Sequence, residues 1–291
     1  MTVSNDDPTL SIERPALYIV ATPIGNLTDI SARALEVLAQ VDLLFVEDKR
    51  VSKKLLQRYG LSVPMQVMHD HNEREIADGA VENLIRNSLS AAQICDAGTP
   101  LISDPGYALV NAALKRDLPI HPIPGPCAAI SALSVSGLPS NQFLFVGFLS
   151  AKTAAKTREL TILKKEPRTL IFYEAPHRLR NTLAALIETF GDQRQAMLGR
   201  ELTKRFETLY HGTLGKLAAM VAEDPNMEKG EIVIVVEGGE NKEGEDLEAA
   251  RNTLAILLSE LPVSQAVRLT AKITGAKKNL LYSWATESTE Q

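Results

Sequence analysis

Ala91-Ala92-Gln93-Ile94-Cys95-Asp96-Ala97-Gly98-Thr99-Pro100-Leu101-Ile102-Ser103-Asp104-Pro105-Gly106-Tyr107-Ala108-Leu109-Val110-Asn111-Ala112-Ala113-Leu114 decides how this chain folds. The first four residues form a short apolar run, as expected for the end of a buried strand. Residues 107–114 have a helical pattern. Between strand and helix stand two carboxylates, two glycines and two prolines, residues that fix or free the backbone where a loop needs special geometry. In open α/β sheets that edge is where ligands bind, so the loop reads as a site.

The same alternation extends on both sides. Residues 17–21 (Leu-Tyr-Ile-Val-Ala) form a buried strand, followed by the turn Thr22-Pro23-Ile24-Gly25-Asn26. A helix is expected from near Asp29, with Ile30, Leu35, Leu38 and Val41 at helical spacing. Residues 43–46 form a second strand ending in Glu47-Asp48-Lys49-Arg50. Further strands are expected near 66–68, 92–95, 120–123 and 143–146, with helices between most of them. Such alternation predicts a largely parallel sheet covered on both faces. Residues 150–165 are polar and basic and read as a bridge to a second α/β domain. That domain has strands near 169–174, 196–198, 208–211 and 231–236, helices over 179–190 and 214–222, and the hairpin-like spacing of a mixed sheet.

The expected organisation is a flexible arm over 1–14, an N-terminal α/β domain over 15–149 and a C-terminal α/β domain over 150–238. An acidic linker over 239–250 and a helical module over 251–291 complete it. Residues 262–286 contain no acid but carry Arg268, Lys272, Lys277 and Lys278. Their helix–Gly275–helix rhythm fits a helix-turn-helix RNA contact, or an amphipathic cap whose cations are merely solvated.

Composition narrows the function. With 291 residues, 45% hydrophobic and 23% charged, the chain is that of an ordinary globular protein. No apolar run approaches the roughly 20 residues of a membrane span, and the first residues lack the basic and apolar regions of a signal peptide. A cytoplasmic protein without membrane contact is the expectation. The net charge of −5 argues against indiscriminate coating of nucleic acid. Two cysteines, Cys95 and Cys127, are too few for a disulfide framework or zinc cluster. His69-Asp70-His71-Asn72-Glu73 suggests a chelate, but no third ligand is identifiable elsewhere and closed sites need about four, so no metal is expected. No G-x-G-x-x-G or Walker loop is present, and Gly25 is the sole glycine of the first turn, which disfavours a pyrophosphate cradle.

A second special turn, Pro122-Ile123-Pro124-Gly125-Pro126-Cys127-Ala128, precedes small residues that let a ligand approach a helix start. Glu47-Asp48-Lys49-Arg50 lies on the same sheet edge as Asp96. Residues 172–178 and 199–204 place carboxylates and arginines after strands of the second domain, which predicts a cleft between the two.

Thr22-Pro23-Ile24-Gly25-Asn26-Leu27, Asp96-Ala97-Gly98-Thr99-Pro100, Pro124-Gly125-Pro126-Cys127-Ala128 and Phe172-Tyr173-Glu174 occur in order with Arg200-Glu201-Leu202-Thr203-Lys204 and Lys229-Gly230-Glu231. Together, over about residues 15–285, they resemble the tetrapyrrole-methylase-like, or class III, S-adenosylmethionine-dependent methyltransferases, and among these the enzymes of small-subunit ribosomal RNA. The resemblance implies two α/β domains of the tetrapyrrole methylase fold, a homodimer, and S-adenosylmethionine in the cleft. It implies methyl transfer to the ribose 2′-oxygen of cytidine 1402 in 16S rRNA of the small ribosomal subunit. The cofactor-binding positions carried over are Pro23, Ile24 and Gly25; Asp96, Ala97, Gly98 and Thr99; Gly125, Pro126, Cys127 and Ala128; and Tyr173, Glu174 and Gly230. The family usually has Thr where this chain has Lys49, and Ser where it has Cys95.

The residues agree with that implication. S-adenosylmethionine has no phosphate, which suits the missing glycine cradle. Positioning of the reactants can supply about 7–11 kcal/mol of barrier lowering. A proton acceptor for the weakly nucleophilic ribose hydroxyl is worth roughly 10²–10⁴-fold, and Glu47, His71, Asp104 and Glu201 are the candidates. Two other readings stand beside this one. A precorrin-type tetrapyrrole C-methyltransferase would have no use for a basic helical tail, and a non-catalytic RNA-binding protein would not need the intact loop from Asp96 to Asp104.

Overall fold

A computed structural model describes residues 11–239 and 243–287. The expected arm over 1–14 lies outside them up to residue 10. Residues 11–14 are tied down: Ile12 is buried in the core, Glu13 N donates to Tyr18 Oη at 2.7 Å, and Arg14 Nε pairs with Asp42 at 2.9 Å. A floppy arm does not extend to this part of the chain.

The first sheet consists of β1 (Ala16–Val20), β2 (Leu43–Val46), β3 (Met65–Val67), β4 (Ser90–Gln93) and β5 (Ile120–Ile123), in the order β3-β2-β4-β1-β5. All its pairings are parallel. The crossovers are α1 (Ala32–Gln40), α2 (Lys49–Arg58), α3 (Glu73–Arg86) and α4 (Tyr107–Leu114). Ser31 caps α1 through Ala34 N at 3.1 Å, and Asp48 caps α2 through Arg50 N at 2.8 Å, each supplying a partner for an otherwise orphan helical amide. Two cores cover the sheet: Val37, Leu38, Leu55 and Leu56 pack on one side, and Ala77, Val81, Leu84 and Leu109 on the other. β4 begins two residues earlier than its expected range of 92–95. The chain keeps strand-like pairing at Ile94, whose N donates to Phe45 O at 3.0 Å, before it breaks into the loop.

After β5 comes α5 (Ala128–Val135), whose Ala129, Ala132 and Leu133 pack against Ile171, Met197, Val233 and Val235 of the second sheet. That sheet contains β6 (Phe143–Phe148), β7 (Thr169–Glu174), β8 (Gln195–Arg200), β9 (Thr208–Thr213) and β10 (Ile232–Val236), in the order β6-β7-β10-β8-β9. It is mixed: β6 and β7 run parallel and the other pairs antiparallel. β6, expected with the first domain, joins this sheet through a bulge at Gly147, whose φ is +74°. The expected polar bridge over 150–165 is instead largely α6 (Thr153–Leu163), with Leu160 and the unusual Lys156 buried. α7 (Leu179–Phe190) and α8 (Leu214–Glu223) complete this part.

The chain divides into two compact units, residues 1–161 with 168–237, and residues 162–167 with 238–291. In the second, α9 (Glu243–Glu260) starts inside the expected linker over 239–250, because its acidic first turn opens a helix rather than a coil; residues 240–242 lie outside the described residues. α10 (Val263–Thr274) and α11 (Lys278–Glu287) follow. Gly275, at φ +74°, caps α10 by donating to Ala271 O, the left-handed stop that favours glycine. Ala250, Leu254, Ala266, Val267, Leu281 and Ala285 form this unit's core. Among the described residues no helix is long and apolar enough to cross a membrane.

Candidate active site

The turns after β1, β4 and β5 are tied together by the chain itself. Thr22 and Gly98 exchange backbone hydrogen bonds of 2.8 and 3.1 Å. The Thr22 hydroxyl donates to Cys95 O at 3.2 Å, and the Thr99 hydroxyl to Pro126 O at 3.0 Å. Gly98 (φ +90°), Leu101 (+72°), Ser103 (+67°) and Gly106 (+133°) all adopt left-handed or glycine-type backbone, conformations that other residues adopt at a cost. The far end of the β4 loop is anchored by α3 and β4. Gly106 N donates to the buried carboxylate of Glu73 at 2.7 Å, and Gln93 Nε2 to Pro105 O at 2.8 Å. Glu73, considered above as a metal ligand, therefore serves as a backbone acceptor. Among the described residues no group of His, Cys, Asp and Glu is arranged to hold a metal ion.

Glu73→Ala leaves Gly106 N buried without an acceptor. The expected loss of stability is about 1–3 kcal/mol, read by urea denaturation, with Glu73→Gln recovering part of it. An unchanged unfolding midpoint in Glu73→Ala would remove Glu73 from the loop's support.

Where these turns meet the second sheet lies a cavity of about 370 Å³, within the size range of small-molecule sites. From the expected positions, Ile24, Ala97, Gly98, Thr99, Cys127 and Ala128 line it on one side. Tyr173, Glu174 and Gly230 line it on the other. The Tyr173 hydroxyl accepts from Ala129 N at the start of α5 (3.0 Å), joining the two sides. Pro23, Gly25, Asp96, Gly125 and Pro126 are not in the lining. Gly25 lies so close to the segment 202–204 that an added Cβ would sit 2.3 Å from Lys204 Cγ. A Cβ on Gly125 would lie 3.0 Å from Ala21 Cβ, and Asp96 accepts from Asp48 N at 3.2 Å. Cys127 is only partly buried and faces the cavity.

Several lining residues were not among the expected positions: Ile102 and Ser103 of the β4 loop, Phe148 at the end of β6, Leu202, and Ile232 and Val233 of β10. Ile102 and Ser103 lie inside the stretch that defines the site in sequence. Phe148 and the β10 residues look like ordinary strand residues, and only the sheet order brings them there.

The charged lining groups are Asp104, Glu174 and Glu231, all carboxylates. Glu174 is paired with Arg178 at 3.1 Å, and Glu231 with Lys204 at 3.2 Å. Asp104 is different. Burial pushes its carboxyl up to about 6, a hydrogen bond with the Cys95 thiol opposes that, and Glu47, Asp96 and Asp70 add to the rise. Burial, then Asp104, pushes the Cys95 thiol up in turn. Burial and the nearby Asp96 also raise Glu47.

Of the four candidate proton acceptors, Asp104 alone lines the cavity. His71 is exposed. Burial would raise Glu201, but hydrogen bonds from Lys204 Nζ (2.7 Å) and Glu231 N (2.9 Å) outweigh it and hold the carboxyl low. Glu201 is thus tied into the wall behind Gly230.

The chain that builds this cavity, with Gly98 and Gly230 in its lining, matches the family of tetrapyrrole (corrin/porphyrin) methylases. That family matches residues 16–218, and the chain belongs to it. The RsmI C-terminal HTH domain matches residues 244–289. The chain is 49% identical to Ribosomal RNA small subunit methyltransferase I of Escherichia coli O157:H7, over 93% of this chain and 94% of that protein. It is 50% identical to the protein of the same name from Pseudomonas aeruginosa, over 92% and 96%. Within the methylases it is therefore a member of the ribosomal RNA small subunit methyltransferase I family.

Solved structures share the fold at low identity. The methyltransferase CobJ superposes with a TM-score of 0.57 at 15% identity, covering 77% of this chain and 94% of its own. Uroporphyrin-III C-methyltransferase from Thermus thermophilus, complexed with S-adenyl homocysteine, gives 0.53 at 17%, covering 76% and 97%.

Proposed function

We propose that this chain transfers the methyl group of S-adenosylmethionine to the ribose 2′-oxygen of cytidine 1402 in 16S rRNA, acting in the cytoplasm as a homodimer on the small ribosomal subunit. The observation that carries the reading is near-half identity, over nine-tenths of both chains, to relatives named for small-subunit rRNA methylation. The match of residues 244–289 to the C-terminal domain of that same family adds to it.

The cavity's residues fit the cofactor. No lysine or arginine lines it, as suits a ligand without phosphate. Its carboxylates suit a sulfonium and an ammonium, and Ile24, Phe148, Tyr173 and Val233 offer an apolar bed for an adenine. Gly98 would let the cofactor approach the backbone closely. When bound, S-adenosylmethionine supplies an electrophilic methyl group. The chain's own work is to orient the two reactants and to accept the proton of the ribose hydroxyl. Asp104 is assigned that second task, since its position and raised titration put it near the ideal for a base at neutral pH. The helical module over 251–291 is assigned to RNA contact, using Arg268, Lys272, Lys277 and Lys278.

Incubation with labelled S-adenosylmethionine and purified 30S subunits, free 16S rRNA or tetrapyrroles tests the reading. Label on a single cytidine ribose is the expected result. Label on a tetrapyrrole alone would sink it in favour of the precorrin-type activity, whose structural neighbours are only 14–18% identical to this chain.

A further inference from the structure

A second cavity, of about 500 Å³, has the opposite character. Lys156, Arg178 and His177 line it, together with Thr153, Thr157 and Asn181. The chain runs directly from the lining of one cavity into that of the other. Glu174, Ala175 and Pro176 line the first, and the next two residues, His177 and Arg178, line the second. At about 3.8 Å per residue, Glu174 and His177 lie within roughly 11 Å along the chain.

The unusual member is Lys156. It is only 6% exposed, although lysine is almost never this buried unless paired. Its Nζ donates to Thr182 Oγ1 at 2.8 Å, and the Thr182 hydroxyl donates to Glu174 Oε2. Glu174 meets this cation only through Thr182, while pairing directly with Arg178. Arg178 also donates to the carbonyls of Leu149 and Ser150. An ammonium has three donors, and Thr182 accounts for one. A buried charge with incomplete partners is costly, and here it borders a cavity rather than packed side chains. Burial lowers the Lys156 ammonium's titration, Glu174 opposes that and Arg178 adds to it. Glu188, exposed, is the one carboxylate in the lining.

We propose that this second cavity is a subsite for a phosphate group of the RNA strand, with Lys156 as its buried cation and Thr157 and Asn181 at its mouth. The assignment rests on the RNA-methylating function proposed above. Hydroxyl, amide and ammonium donors are the groups that hold phosphates of a nucleic-acid backbone. A phosphate bound here would fix the strand beside the cavity in which its ribose has to be presented, which is the positioning that methyl transfer needs.

The test uses the full-length chain and a 16S rRNA fragment containing cytidine 1402, with affinity measured across a series of salt concentrations. Thr157→Glu and Asn181→Asp place a carboxylate at the exposed mouth, and Lys156→Met removes the cation. Each variant should weaken RNA binding about tenfold near 0.15 M salt and flatten the log–log salt slope by about 0.7, the share of one single-strand phosphate. Affinity for S-adenosylmethionine should stay unchanged. Should Lys156→Met fail to fold, the two mouth variants carry the result.

A parallel arm measures the rise in melting temperature caused by millimolar inorganic phosphate, expected in the wild type and absent in Thr157→Glu. Loss of that rise with an unchanged RNA slope overturns the assignment to the strand and leaves free phosphate as the ligand. No change in either arm overturns the site altogether and makes Lys156 a structural cation. If the wild type methylates no rRNA, the proposed function fails, while the phosphate arm still reads the cavity by itself.

Discussion

Gly98→Val is expected to weaken binding of S-adenosylmethionine by roughly one to two orders of magnitude. Gly98 has φ +90°, and a Cβ built on it would lie 3.4 Å from Ile24 Cγ2, so the space is tight but not closed. The backbone decides the matter, since a β-branched residue at positive φ is a true outlier and costs about 1–3 kcal/mol. The loop can relieve that strain only by moving Gly98, and Gly98 N and O are both committed to Thr22. Relief therefore breaks the tie between the β1 and β4 turns, and with it one wall of the cavity. Converted to binding, that range is roughly a 5–140-fold loss of affinity, measurable by calorimetry. Gly60→Val is the control: its φ is +66°, nothing lies within 4 Å, and it sits away from the cavity. That variant should lose stability but bind cofactor as the wild type does. Equal affinities for Gly98→Val and the wild type would take the β4 loop out of the cofactor site.

Much of the architecture was legible because pattern and punctuation agreed. The helices at Tyr107–Leu114 and Leu179–Phe190 follow apolar spacing with Gly106 and Gly191 at their ends. The strand at Thr169–Glu174 is a run of β-formers and buries all but Tyr173. What the sequence concealed depends on partners far along the chain. Nothing local in β6 says that it pairs with β7 rather than with the first sheet, and the bulge at Gly147 that fits it there leaves no periodic trace. α6 looked like a charged bridge because it presents little apolar face, with Leu160 and a lysine as its buried residues. α9 looked like a linker because acidic residues crowd its first turns.

The candidate site divides in the same way. Its turns stand out through glycine and proline, whose backbone demands are local. The apolar bed from Phe148, Ile232 and Val233 does not, since strand ends become walls only once two sheets are placed. Proposing Asp104 as the base over Glu47, His71 and Glu201 rests on which side chain lines the cavity, and that is not written in residue type. The same holds for Pro23, Gly25 and Gly125, which stand near the cavity without lining it: close backbone approach and ligand contact leave the same signature in sequence.

Asp104→Asn separates activity from stability in opposite directions. The Asp104 carboxyl titrates at about 6 against an ordinary 3.8, chiefly through burial, so below that pH it holds a proton and cannot accept another. With Asp104 as the base, methyl transfer falls about tenfold per unit as pH drops below about 6. Asp104→Asn should lose roughly 10²–10⁴-fold in kcat at pH 7.5 and lose the acidic limb of the profile as well. Stability runs the other way. An acid whose folded pKa is raised binds more protons folded than unfolded between about 3.8 and 6. Its favourable contribution is complete below 3.8 and is lost as pH rises through about 6. At pH 7.5 the ionised carboxylate is a burden on the fold, and a neutral amide of the same shape relieves it by about 1–2 kcal/mol after discounting for partial exposure. Near pH 4 the two proteins should unfold alike, because Asp104 is then protonated in the folded state. A variant less stable than the wild type at pH 7.5 would mean that the carboxylate has a favourable partner, and an active one that keeps its acidic limb would move the base to another group. Loss of activity with gained stability is what a half-buried carboxylate kept for chemistry predicts, since its hydrogen bond with the Cys95 thiol does not offset the cost of burying the charge.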